Sequence, residues 1–301
     1  MAKFIHIPDI QSVHNFIGTT SLHPLITVIR KWPNTGRDLN QLKFTSDLYY
    51  ITSKRNVIGS IQYGRSSYDY QEGTMVFMKP GQVATFSTPN ESDNESEGWT
   101  ILFHPDLIQK SDLGKKIKMF SFFEYETNEA LHISEKEKQS LKALVSHIEQ
   151  EINQNIDRHS QEIIIQNLHT ILNYCNRFYE RQFHVRTNQN KDIVAKFERF
   201  LNDYFNSEDL QNKGIPSLKE CGKEMHMSGA YLSDLLRAET GKSAKDHIYR
   251  HLISKAKTAL LNSNRSISEI AYDLGFEYPQ NFSKLFKSKT GLSPSTFRNL
   301  N

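Results

Sequence analysis

The feature that most constrains this chain is a unit of about thirty residues that occurs twice near its C-terminal end. The later copy, Ser266 to Arg298, reads SISEIAYDLGFEYPQNFSKLFKSKTGLSPSTFR. Ser266 and Glu269 stand in the S-x-x-E spacing of a capping box, so a helix is predicted to start there. Ile267, Ile270, Ala271 and Leu274 give it one apolar face. Gly275 supplies the left-handed residue that ends a helix in a tight turn, and Pro279 suits the first turn of the next. In that next helix Phe282, Leu285 and Phe286 form the face to be buried. Gln280, Asn281, Ser283, Lys284 and Lys287 occupy the other.

The earlier copy runs from Ser217 to Ser243. Leu218, Cys221, Gly222 and Met225 match Ile267, Ile270, Ala271 and Leu274 at an offset of 49. Leu235, Leu236, Arg237, Thr240, Gly241 and Ser243 match Leu285, Phe286, Lys287, Thr290, Gly291 and Ser293 at an offset of 50. The later copy thus has one extra residue in its turn. Ser217 and Glu220 repeat the capping box. A lone hairpin of helices is common in any core, but a repeat of this detail points to paired helix-turn-helix units, whose second helices enter the DNA major groove.

The pair resembles the DNA-binding domain of the AraC/XylS-type transcription regulators. The residues that carry the resemblance are Ile270-Ala271, Gly275-Phe276, Phe282, Phe286-Lys287, Gly291, Ser293-Pro294 and Phe297-Arg298. It covers about a third of the chain. A second resemblance, to the cupin-like sensor domains of such regulators, covers much of the rest. The family often has an arginine four residues before the alanine of the helix linking the two units; here Leu252 stands there, which removes a polar role from that position.

Charge is distributed as a phosphate-binding half would require. From Arg186 onward there are 18 basic and 13 acidic residues, +5, against 19 and 21, −2, in the remainder. The two cysteines, Cys175 and Cys221, each fall at an apolar helical position and read as small core residues, which fits a reducing cytoplasm. The opening MAKFIHIPDI lacks the pattern of a signal peptide, and no run is long enough to span a membrane. A cytoplasmic protein with no membrane partner is expected.

The front of the chain reads as short strands. They are LITVIR from Leu25, an alternating stretch through Phe44, Leu48 and Tyr50, and then VIGSIQYG, TMVFMK, VATFS and WTILFH. KWPNTGRDLN and the acidic TPNESDNESEG read as loops. Many short strands at close spacing suggest a sandwich or barrel. Glu72-Gly73 through Met78-Lys79-Pro80-Gly81-Gln82-Val83 resembles a turn-strand-turn of a cupin barrel. Enzymatic cupins carry metal-binding His and Glu there, but Ala84 occupies the expected His position and His104 is the one histidine between His23 and His132. A metal-free pocket or scaffold is expected, with no cofactor.

Past the strands, Phe120, Phe122, Phe123 and Tyr125 read as packing residues. Ser134 and Glu137 cap a helix with Leu141, Val145, Ile148 and Ile152 on one face. A second helix carries Ile164, Leu168, Ile171, Cys175 and Phe178. These faces either pack together or, around Leu168 and Ile171, form a dimer interface. His184 to Lys191 lacks an apolar face and reads as the linker.

Between the two units, Ile248, Leu252, Ala256 and Leu260 mark a linking helix of roughly twenty residues, about 30 Å, close to the ~34 Å of one DNA turn. Gly229, Ala230, Ser233 and Asp234 in the first unit face the groove, and Asp234 could accept from a cytosine amino group. In the second unit Gln280 suits adenine and Lys284 guanine, with Asn281 beside them. Lys242, Lys287 and Lys289 suit phosphates. His247 and His251 could chelate a metal, but with no third ligand nearby they read as solvated or phosphate-facing.

The expected architecture is α+β. Residues 1–185 form a cupin-like β-barrel for sensing or dimerisation with a helical tail, and residues 192–301 an all-α DNA-binding domain with two helix-turn-helix units. The expected function is sequence-specific transcription regulation on double-stranded DNA, with a small-molecule effector and a homodimer as further partners to test. The competing reading is a cupin-type enzyme with an attached helical module. A front domain that only dimerises or binds another protein is the third.

Overall fold

The computed structural model describes residues 4–30, 43–54, 73–85, 98–126, 129–154, 157, 159–207 and 210–300. It divides into two compact units, Met1–Gln182 and Phe183–Asn301. The expected strand VIGSIQYG and loop KWPNTGRDLN lie outside the described residues, as does TPNESDNESEG apart from Gly98.

In chain order the first unit contains β1 (Phe4–Ile7), α1 (Ile10–Ile17), β2 (Ile26–Ile29), β3 (Lys43–Ser46), β4 (Tyr49–Lys54), β5 (Thr74–Met78), β6 (Ala84–Thr85) and β7 (Trp99–Phe103). After these come α2 (Pro105–Ile108), α3 (Asp112–Lys116), β8 (Leu131–His132), α4 (Glu135–Asn153) and α5 (Ser160–Val185), whose last three residues belong to the second unit. The strands form two sheets, ordered β1-β3-β6 and β2-β7-β4-β5-β8. The all-apolar-or-Thr run WTILF is buried at every position of β7, which lies between β2 and β4.

The expected closed barrel is not formed among the described residues. Phe44, Leu48 and Tyr50 are all buried, as their shared parity predicts, but they do not lie on one strand. The chain breaks at Asp47-Leu48, where the Ser46 hydroxyl donates to the Ile7 carbonyl at 2.9 Å. One alternating stretch therefore supplies β3 to one sheet and β4 to the other. The opening segment adds two elements that alternation did not reveal. β1 pairs in parallel with β3, and α1 is N-capped by Asp9, which accepts from the Ser12 amide at 2.7 Å. Ile10, Val13 and Ile17 of α1 pack with Phe44, Leu48, Tyr50 and Leu102.

The aromatic residues after β7 are packing residues, as read. Phe122 lies 4.5 Å from Phe77 of β5 and stacks on Tyr179 of α5 at 5.6 Å, so the cluster binds helix to sheet. Gln182 ties the same helix to β8, accepting from the His132 amide at 2.8 Å and donating to the Ala130 carbonyl at 3.2 Å. The capping box of Ser134 and Glu137 is formed. Leu168 and Ile171 are fully buried within the chain. The dimer interface expected there is corrected: a side chain with no exposed surface has none to offer a second copy.

The stretch read as a linker, His184 to Lys191, is helical apart from Arg186. α5 continues to Val185 and α6 (Thr187–Asn206) begins after the single non-helical residue Arg186. Asn190 is buried because its amide donates to the Phe183 carbonyl at 2.7 Å and to Glu239 at 2.8 Å. Such polar partners lie outside any apolar periodicity.

The second unit continues with α7 (Leu210–Lys213), α8 (Leu218–Glu224), α9 (Gly229–Thr240), α10 (Ala244–Asn262), α11 (Ile267–Asp273), α12 (Pro279–Thr290) and α13 (Pro294–Leu300). Its core joins Phe197, Leu201 and Phe205 of α6 to Leu232 and Leu236 of α9, Ile248, Leu252, Ala256 and Leu260 of α10, and Phe282 and Phe286 of α12. Leu252 is fully buried, so the position where the resembled family often has arginine is a core position here.

Candidate nucleic-acid interface

Both helix-turn-helix units are built as their local sequence predicts. The Ser217 amide donates to Glu220 Oε2 at 2.8 Å and the Glu220 amide to Ser217 Oγ at 3.2 Å. In the second unit the same two bonds, Ser266 amide to Glu269 and Glu269 amide to Ser266, measure 2.6 and 3.1 Å. Each box satisfies two backbone donors that a helix start leaves open. Pro279 stands in the first turn of α12.

The two turns differ in length and in backbone chemistry. Residues 225–228 join α8 to α9, and residues 274–278 join α11 to α12. Gly275 takes φ 81, while its counterpart His226 takes φ 59, an unfavourable angle for a residue with a Cβ. The shorter first turn closes because two glycines let backbones meet. A Cβ on Gly222 would lie 2.5 Å from the Met227 carbonyl oxygen, and one on Gly229 2.4 Å from that of Leu218. Gly229 therefore has a packing role at the α8–α9 contact besides its place at the start of α9.

α9 buries Tyr231, Leu232, Leu235 and Leu236 and leaves Gly229, Ala230, Ser233 and Asp234 part-exposed. Asp234 is ion-paired with Arg237 on the same helix. α12 buries Phe282 and Phe286 and exposes Gln280, Asn281, Lys284 and Lys287. Among the described residues these four side chains have no hydrogen-bond or ion-pair partner, so their donors are available. Lys242 is exposed after α9. Lys289 is engaged: its Nζ lies 3.1 Å from Asp246 and 5.3 Å from the Tyr249 ring centre. It ties the end of α12 to α10 and is a weaker candidate for phosphate than its position suggested. Tyr278 is 57% exposed at the entrance to α12, and an aromatic residue in a turn carries no periodic signal in the sequence.

α10 spans 19 residues, about 28 Å at ~1.5 Å per residue. Its two histidines are engaged by a carboxylate of the protein, contrary to the sequence reading. His247 Nδ1 lies 2.5 Å from Glu198 Oε1, His251 Nε2 lies 2.8 Å from Glu198 Oε2, and Arg250 Nη2 donates to Oε1 at 2.5 Å. A carboxylate only accepts, so each ring nitrogen facing it carries a hydrogen. Glu198 thus fastens α6 to α10, across 49 residues that local periodicity does not connect. No group of three or more His, Cys, Asp or Glu suited to a metal occurs among the described residues.

Burial raises the Glu198 pKa, but His251, His247 and Arg250 outweigh it, leaving the carboxyl below its ordinary 4.5. Asp246, bonded to Ser243 and Lys289, is lowered from 3.8 to about 2. A depressed folded-state pKa contributes stability that is present above the unfolded value and lost as pH falls through the folded one. The melting temperature of the protein should therefore fall as pH drops from 4.5 to about 2, and Glu198→Gln should flatten that decline. Equal pH slopes for wild type and variant would show that Glu198 contributes nothing there.

Residues 221–300 match the family described as a helix-turn-helix domain, and the C-terminal unit carries a helix-turn-helix domain of the AraC type. The chain is 39% identical over 83 residues to the uncharacterized HTH-type transcriptional regulator YfiF of Bacillus subtilis (strain 168), a match covering 28% of this chain and 26% of that protein. It is 35% identical over 81 residues to the Msm operon regulatory protein of Streptococcus mutans serotype c, covering 27% and 29%. A longer match, 24% identical over 238 residues, covers 68% of this chain and 30% of the uncharacterized regulator YtdP of Bacillus subtilis. This chain thus spans between a quarter and a third of the length of these relatives. Among solved structures, the C-terminal domain of the response regulator AraT from Geobacillus stearothermophilus is 27% identical, with 36% of this chain and 85% of that chain covered and a TM-score of 0.32.

Proposed function

We propose that this protein is a sequence-specific DNA-binding transcription regulator. The observation that carries the reading is α12. Gln280, Asn281, Lys284 and Lys287 are exposed and unpaired among the described residues, opposite buried Phe282 and Phe286. The duplicated unit and a linking helix near one DNA turn in length support two readers in successive major grooves. The groove-facing surface of the first unit is assigned to Gly229, Ala230, Ser233 and Asp234 of α9, with Lys242 on phosphate.

The finer parts of the proposal concern the rest of the chain. Residues 192–301 are the DNA-binding domain, and residues 1–185 a cupin-like domain that senses or dimerises. The resemblance to ligand-controlled regulators supports a small-molecule effector and a homodimer there, in the cytoplasm. Among the described residues no helix is long and apolar enough to cross a membrane. The matched relatives are described as regulators, and no observation favours the cupin-enzyme alternative.

Genomic fragments bound by the full chain would supply an operator. On it, Gln280→Ala or Lys284→Ala should each lose ~1–3 kcal/mol and relax preference at one or two base pairs. Lys287→Ala should weaken all sequences alike and reduce the salt slope by about one. Titration against the operator and a scrambled duplex at several salt concentrations measures both. An unchanged specificity ratio in both α12 variants would move base reading to the first unit.

A further inference from the structure

The two reading helices differ in charge at equivalent positions. At an offset of 50, Asp234 stands where the second unit has Lys284, and Arg237 where it has Lys287. In the second unit two like charges face solvent, unpaired among the described residues. In the first, Arg237 Nη1 donates to Asp234 Oδ1 at 2.5 Å. The arginine side chain is 58% exposed and the aspartate side chain 16%. The carboxylate is thus held close to the protein while the guanidinium stands out from it.

Direction matters here. Arg237 lies in the last turn of α9, where a cation alone would favour the helix end or a phosphate. Long helical side chains lean toward the N-terminus, over the turn that precedes them. The pair with Asp234 holds the guanidinium in that direction, over the part of a recognition helix that meets base edges. The groove-facing residues there, Gly229, Ala230 and Ser233, have small side chains or none, so they leave room for it and reach little themselves. Arg237 is the one cation of α9. Among the described residues its single partner is Asp234, through Nη1, which leaves the donors of Nε and Nη2 for another acceptor.

We infer that Arg237, oriented by Asp234, is the base-reading side chain of the first unit and selects guanine. Guanine presents O6 and N7 together in the major groove, a pair of acceptors that matches two guanidinium donors. Asp234 is then a positioning residue. Its charge also cancels that of Arg237, so the first unit discriminates without adding much general attraction for phosphates. This inference rests on the regulator reading proposed above.

The test uses the full chain and a library of duplexes randomised around a selected operator, at several salt concentrations. Wild type should show a guanine preference that Arg237→Ala abolishes, with a tenfold to hundredfold loss on the best site. Arg237→Lys keeps the charge and the helix but not the fork. It should lose the same preference with an unchanged salt slope. Asp234→Asn should relax that preference and strengthen binding to scrambled DNA, and the double variant Asp234→Asn, Arg237→Ala should prefer no base pair that Arg237→Ala does not. If Arg237→Lys keeps every preference of the wild type, Arg237 is a phosphate contact or a surface ion pair, and the inference is overturned while the regulator reading stands. If the wild type itself prefers no sequence, the regulator reading falls and this inference with it.

Discussion

Phe286→Ala should destabilise the C-terminal unit by about 3–5 kcal/mol, the range for emptying a buried aromatic position. Phe286 has no exposed surface and lies 5.7 Å from the Phe282 ring and 5.4 Å from the Phe297 ring. These rings back α12 and join it to α13, so alanine leaves a cavity whose walls belong to separate helices and cannot close by rotating one side chain. Because the same face holds α12 in place, DNA binding should fail at temperatures where wild type is intact. Leu300→Ala is the control: at 67% exposure it should stay within ~0.5 kcal/mol of wild type. Denaturant unfolding of the full chain, followed by a probe of the helical unit, reads both. A loss below ~1 kcal/mol for Phe286→Ala would mean the helix is held by other contacts.

Gly275→Ala should be the next most damaging change, and its counterpart should move the other way. Gly275 takes φ 81, and a Cβ there would meet the Gly214 Cα at 2.7 Å and carbonyl carbon at 3.0 Å. The conformation alone costs a residue with a Cβ about 1–3 kcal/mol, and the collision is with backbone, which cannot swing aside. His226 occupies the equivalent place with φ 59. His226→Gly should relieve part of that cost and stabilise by about 1 kcal/mol, set against the greater freedom glycine gives the unfolded chain. Opposite signs at two matched positions, measured as shifts in denaturant midpoint, are the expected result. A neutral Gly275→Ala would require the segment around Gly214 to yield, and would show that this contact is loose.

Much of the second unit was legible in the sequence because its signals are local. The serine and glutamate of each capping box are three residues apart, and Gly275 and Pro279 act on their own backbone. The apolar faces of α9, α10 and α12 follow from a period of 3.6. The exposed face of α12 was legible by the same logic, as what remains once Phe282 and Phe286 are buried.

The strands were recognisable one by one, but their assembly was not. Alternation marks Phe44, Leu48 and Tyr50 as inward, yet says nothing of the break at Asp47 that sends β3 and β4 to different sheets.

Sequence alone, then, determined which residues start and stop the helices, which faces are apolar, and that a helix-turn-helix unit occurs twice. These follow from chemistry within a few residues of chain. Tertiary structure alone decided what those faces and charges meet. It buried Leu168 and Ile171 within the chain and made the stretch around Arg186 helical. It gave Glu198 to His247, His251 and Arg250, and engaged Lys289 with Asp246. The physical reason is the same in each case. A period identifies a buried face without naming its partner, and a charge is committed or available only once the chain has brought, or failed to bring, its opposite within a few ångströms.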